Sequence, residues 1–158
     1  MWGRHKKIAV GGIAVLLILV LLSLTGFSTV PTIILGGGEN ASPSDWVKPE
    51  QINVYQDKVI LAIPHAFWAS FTNTNSMDPF LDEDAHAIEV LPESPDKINV
   101  GDVIAYRAKD GVIIHRVIAQ GEDAEGAYYV VKGDNNRFGD PLKVRFEDVQ
   151  GVVVAVVY

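Results

Sequence analysis

Apolar and polar positions divide the chain into three unequal stretches. Residues 8–30 carry no charge, and residues 16–22 are unbroken Leu, Ile and Val. A helix needs about 20 apolar residues to cross the hydrocarbon core of a bilayer, so this run predicts a transmembrane anchor. Residues 31–50 contain Gly36, Gly37 and Gly38 followed by Ser, Pro and charge, too polar to bury and too rich in Gly to stay helical, and read as a linker. Past residue 50 the pattern turns to short β-branched runs at 59–63, 87–90, 103–107, 112–119, 128–132 and 149–157, separated by Gly, Asp, Asn and Pro. Such runs predict a mainly β domain over 51–158, an antiparallel sheet folded on itself into a barrel-like form, and not a parallel sheet with crossover helices. The closing run is too short for a second membrane span and reads as a buried strand.

Charge gives the anchor a direction. Arg4, Lys6 and Lys7 precede the apolar run, whereas all 20 acidic residues and 10 of the 13 Lys and Arg follow it, leaving the outer part a formal charge of −10. The bias of cations toward the cytoplasm predicts residues 1–7 inside and everything after residue 30 on the outer face of the cell membrane, in a single pass. A cleavable secretory signal also has a basic start and an apolar middle. The length of the run and the lack of an Ala-x-Ala site favour the anchor, with Gly26-Phe27-Ser28 as a weak small-x-small alternative, and either reading exports the domain.

The acidic balance excludes a nucleic-acid surface, which needs clustered cations, and leaves the lipid bilayer as the partner that composition implies. Cys is absent, so an exported domain holds together by core packing alone, and thiol catalysis and a Cys-ligated metal are excluded. His5 and His65 have no arrangement around them that suggests a metal, and no organic cofactor is implied. Asn40-Ala41-Ser42 fits the glycosylation acceptor pattern, a tripeptide common by chance.

Ser76 stands in a polar stretch, 72–76, between apolar flanks. Alone it reads as a turn residue bonding nearby backbone ahead of Asp78-Pro79. His115, however, lies downstream in the apolar run Val112-Ile113-Ile114-His115-Arg116-Val117-Ile118, and two carboxylates, Asp134 and Asp140, follow it. Nucleophile, base and orienting acid are the set that base-activated serine chemistry requires. Residues 81–100 make a long stretch between the serine block and Gly101-Asp102; within it the triplet Asp82-Glu83-Asp84 suggests a solvated loop, and His86 is the alternative base should His115 prove remote.

Four blocks, Ser76-Met77-Asp78-Pro79, Gly101-Asp102-Val103-Ile104, His115-Arg116-Val117 and Lys132-Gly133-Asp134-Asn135-Asn136 with Asp140 six residues after Asp134, occur in an order that resembles the type I signal peptidases. The similarity is to the archaeal and endoplasmic-reticulum branch, which uses histidine as base, and the N-terminal anchor resembles the same layout. It implies a membrane-anchored serine endopeptidase that removes signal peptides from exported preproteins, either alone or with other membrane subunits. Ser76 is then the nucleophile and His115 the general base, with Asp140 at the position of the essential acid and Asp134 as a second acid or a turn residue. The oxyanion donors implied are the Ser76 N–H and the Thr74 hydroxyl, with Asn75 a further candidate on chemistry alone. Apolar residues around the nucleophile, among them Trp68, Met77 and Phe80, with Ile63 and Phe67, are candidates to line a groove for an extended peptide, or simply core. Two other readings stand beside this one. One is a catalytically silent member that binds peptides or partners. The other is a relative of the self-cleaving repressors, which pair serine with a lysine base that this chain lacks in the matching block.

Overall fold

The computed structural model describes residues 39–158. The expected cytoplasmic tail at 1–7, the anchor at 8–30 and the first part of the linker lie outside the described residues, among which no helix is long and apolar enough to cross a membrane.

Nine strands follow one another with no α-helix among the described residues. Strands β1 (Ile52–Val54) and β2 (Val59–Leu61) form a small antiparallel hairpin of their own. The others are β3 (Ala66–Ser70), β4 (His86–Val90), β5 (Val103–Ala108), β6 (Gly111–Asp123), β7 (Gly126–Lys132), β8 (Val144–Arg145) and β9 (Val149–Val157). They make a single sheet in the order β3-β4-β9-β5-β6-β7-β8, and every neighbouring pair is antiparallel. The expected antiparallel domain is therefore present. The barrel closure is not, because β3 and β8 remain as edges and do not pair with each other.

Two long strands change partner along their length. β6 pairs with β5 through Gly111 to Arg116 and with β7 from Arg116 onward, and its register shifts between Val117 and Ala119. β9 lies against β5 through Val152 and against β4 from Val152 to Val157, with shifts on both sides. Each shift inserts an extra residue that bends the strand and increases its twist, curling the sheet without closing it.

Alternation along the strands supplies both faces of the sheet with apolar side chains. One face carries Ile104, Val117, Tyr129, Val131 and Val152, packed with Ile98. Across the sheet Val103, Ala87 and Val153 meet Met77, Leu81 and Ala85 from the β3–β4 connection. The 81–100 stretch holds the strand expected at 87–90. It contains β4 and sends Leu81, Ala85 and Ala87 inside, leaving only Glu83 and Asp84 of the acidic triplet exposed.

The described part of the expected linker is bound to the domain by hydrogen bonds. Ser44 N donates to the buried Asp102 at 2.6 Å, Arg116 Nη1 donates to the Ala41 carbonyl at 3.3 Å, and Trp46 packs against the first core cluster. Gly101 permits this approach: a Cβ there would lie 2.1 Å from the Ser42 carbonyl oxygen, and its φ of +105° suits only glycine. Composition indicated a free segment because its polar groups have no local partners; the domain supplies them.

Candidate active site

The loop between β3 and β4 carries the serine. Asn75 takes a positive φ of 57°, and the Phe80 and Leu81 N–H groups both donate to the Met77 carbonyl, so the chain reverses sharply just after Ser76. Met77 is the anchor of this loop, 4% exposed within the second core cluster. Its sulfur also accepts the Asp134 N–H at 3.4 Å.

The turn at residues 133–136 grips the same loop. Asn135 N donates to the Ser76 carbonyl at 3.0 Å, and the Asn135 side chain donates to the Asn75 carbonyl at 2.9 Å. Lys132 Nζ ties the turn to itself through the Gly133 and Asn136 carbonyls. Gly133 is required by distance, since a Cβ there would lie 2.5 Å from the Ser76 carbonyl oxygen. The serine block and the Gly-Asp-Asn-Asn block are therefore one structural unit.

His115 comes from the β5-paired half of β6, opposite Ile104, with only 6% of its surface exposed. Its Nδ1 lies 2.7 Å from Asp140 Oδ2. Tyr106, one position diagonal to it on β5, donates its hydroxyl to the same Asp140 oxygen. Burial, and then this bond to a carboxylate, push the tyrosine pKa upward, so the phenol stays protonated and acts as donor. The acid is in turn held by its own backbone, Asp140 N donating to the Val131 carbonyl of β7 at 2.8 Å. A carboxylate that accepts from Nδ1 leaves Nε2 as the ring nitrogen able to take a proton.

Asp134 does something else. Its two oxygens take the Arg116 guanidinium side-on at 2.8 Å and 2.7 Å, with both side chains more than nine-tenths buried, and Asn40 donates to it at 3.1 Å. Arg116 also donates to the Gly101 carbonyl and lies over the Phe80 ring. The two candidate acids thus have separate partners: Asp140 meets the histidine, and Asp134 neutralises the neighbouring arginine.

Ser76 and His115 line a common groove of about 580 Å³, with Thr74, Met77, Trp68 and Phe67 among its walls. No hydrogen bond joins Ser76 Oγ to His115; the serine hydroxyl bonds Thr74 Oγ1 at 3.2 Å. The Ser76 N–H takes part in no backbone hydrogen bond among the described residues and remains a free donor beside the groove. Phe80 and Ile63 are not in the groove wall. Phe80 follows the reversal after Ser76, packs against the second core cluster and lies under Arg116, the core alternative of its two expected places. His86 lies on β4 against Trp68, outside the groove wall. Tyr106 escaped the sequence reading because an aromatic in a β-branched run signals only core; its diagonal relation to His115 exists only once the β5–β6 register is set.

No protein-family model, no curated protein and no solved structure matches the chain.

Proposed function

We propose that this chain is a membrane-anchored serine endopeptidase of the type I signal peptidase kind, acting on preproteins at the outer face of the cell membrane. The observation that carries the reading is the 2.7 Å contact of His115 Nδ1 with Asp140 beside a groove that Ser76 also lines. The open antiparallel sheet, with β3 and β8 at its edges, is the scaffold that carries the site in this reading.

The chemistry follows from the donors and acceptors. His115 Nε2 takes the Ser76 proton as Oγ attacks the scissile carbonyl, and Asp140, fixed by Tyr106, stabilises the imidazolium that forms. In this reading the Ser76 N–H and the Thr74 hydroxyl serve as the oxyanion donors; each such donor is worth on the order of a hundredfold in rate. His115 then returns the proton to the leaving amine, and water repeats the cycle on the acyl-enzyme. Thr74 holds the serine hydroxyl in the resting site, and the Ser76–His115 contact is one that forms when substrate fills the groove.

The catalytically silent reading draws on that same bond, because a serine held by Thr74 and not by histidine also suits a protein that only binds peptides. Cleavage of a labelled signal-peptide-bearing precursor in membranes separates the two. Loss of cleavage in both Ser76→Ala and His115→Ala, with the proteins folded and inserted, is expected. Cleavage by neither the wild type nor any variant, across several precursors, would favour the binding role, and cleavage persisting in His115→Ala would remove the histidine-base assignment.

A further inference from the structure

The deepest polar group in the groove wall has no task in the chemistry above. Glu89, on β4, is 2% exposed, and its Oε1 has no hydrogen-bond partner among the described residues. It lines the groove together with Ser76 and His115. Its strand partners are Phe67 and Val153, both apolar. Space for the carboxyl is made by Gly151, where a Cβ would lie 2.5 Å from Glu89 Oε2 and 2.8 Å from the Phe67 ring.

A buried carboxyl without a partner costs stability when ionised, and burial raises its pKa to about 7. A simple core position would be better filled by Leu or Met. Asp82 makes the same point less deeply: it also lines the groove, with Oδ1 buried and unpartnered. Among the described residues no Lys or Arg lines the groove, and His115 is already engaged by Asp140. The groove is thus apolar along Phe67, Trp68, Met77 and Ile113 and carries uncompensated acceptors at Asp82 and Glu89.

We infer that Glu89 is the base of a substrate subsite that selects a cationic side chain, lysine or arginine, near the scissile bond of an extended peptide. The inference rests on the peptidase reading for its substrate class. A bound ammonium or guanidinium supplies the missing donor to Glu89 and holds it ionised, while the apolar walls cover the methylene stem. Asp82 adds attraction for the same charge. Glu89 touches no reacting atom here and sets specificity alone.

The test uses the full chain in detergent and two readouts. Binding of a peptide series, each position on either side of the scissile bond changed in turn to Lys, Arg or norleucine, is measured on Ser76→Ala protein. Cleavage of the same series is measured on the wild type. One position is expected to favour Lys or Arg over norleucine by about tenfold, the size of a charge-assisted hydrogen bond, in both readouts. Glu89→Gln, which keeps the shape of the side chain, is expected to reduce that ratio to near one. No cationic preference at any position of the series, or a preference that Glu89→Gln leaves intact, overturns the subsite. Cationic preference in binding with no cleavage by the wild type overturns the peptidase reading and keeps the subsite, so the two failures are distinguishable.

Discussion

At the scale of single residues, two pairs of side chains that look alike in sequence have opposite physical situations. Asp134 and Asp140 are six positions apart, yet one neutralises a buried guanidinium and the other holds the imidazole. Asp140→Asn is expected to lower cleavage by about 10⁴-fold with the unfolding midpoint little changed, because the wrong histidine tautomer is then favoured. Asp134→Ala strands the Arg116 charge in the interior and is expected to cost about 3–5 kcal/mol in urea unfolding. A reversal of the two outcomes would exchange the roles. Glu83 and Glu89 are the second pair, one exposed and one inside. Burial raises the Glu89 pKa from 4.5 to about 7, so the folded protein binds this proton more tightly than the unfolded chain does. Its contribution therefore falls as pH rises from about 4.5 through 7, by on the order of 3 kcal/mol, and stays low above. Glu89→Gln removes that fall. Urea unfolding of both proteins at pH 5 and pH 8 checks it: the variant is expected to be the more stable at pH 8, and parallel pH dependence would contradict the argument.

At the scale of elements, the site depends on two loops that the sheet brings together. The serine loop is anchored below by Met77 and from the side by the turn at 133–136, through the Asn135 bonds. Gly133→Ala drives a methyl against the Ser76 carbonyl and the Asn136 amide. A displacement of the nucleophile loop of about 1 Å is expected to cost on the order of a hundredfold in kcat/KM. Cleavage kinetics of the purified variant, with circular dichroism to establish that the sheet persists, give the answer; wild-type kinetics would mean that the turn yields without moving the serine. The histidine depends on the β5–β6 register in the same way, since one residue of slip would turn His115 to the opposite face and away from Tyr106 and Asp140.

At the scale of the whole molecule, the chain from residue 40 to residue 46 belongs to the β-domain. Asn40, Ala41 and Ser44 bond to Asp134, Arg116 and Asp102, and Trp46 covers part of the core. A chain beginning at residue 39 is expected to unfold like the full domain. One beginning at residue 48 loses the Trp46 packing and the hydrogen bonds of Asn40, Ala41 and Ser44, and is expected to lose about 3–5 kcal/mol. Equal midpoints in urea would show that this segment adds nothing to the domain.

Six of the nine strands were legible as β-branched runs, because a half-buried antiparallel strand writes its alternation into local sequence. The closing run appears with the bounds expected, Val149–Val157. β1, β3 and β8 were not legible: they are short or exposed edge strands, as in Ala66–Ser70, where pairing and not burial defines the element. The sequence by itself determined the apolar run at 8–30, the acidic and Cys-free character of the rest, the β content, and a set of Ser, His and Asp in an order suited to base-activated chemistry. Only the tertiary structure decided which aspartate meets His115, that Tyr106 shares that acid, that Phe80 packs under Arg116 and that Glu89 lines the groove with one oxygen unpartnered. The physical reason is that strand content follows from local alternation, whereas each of these relations is a distance between residues far apart in the chain, set by registers and bulges that no local pattern records.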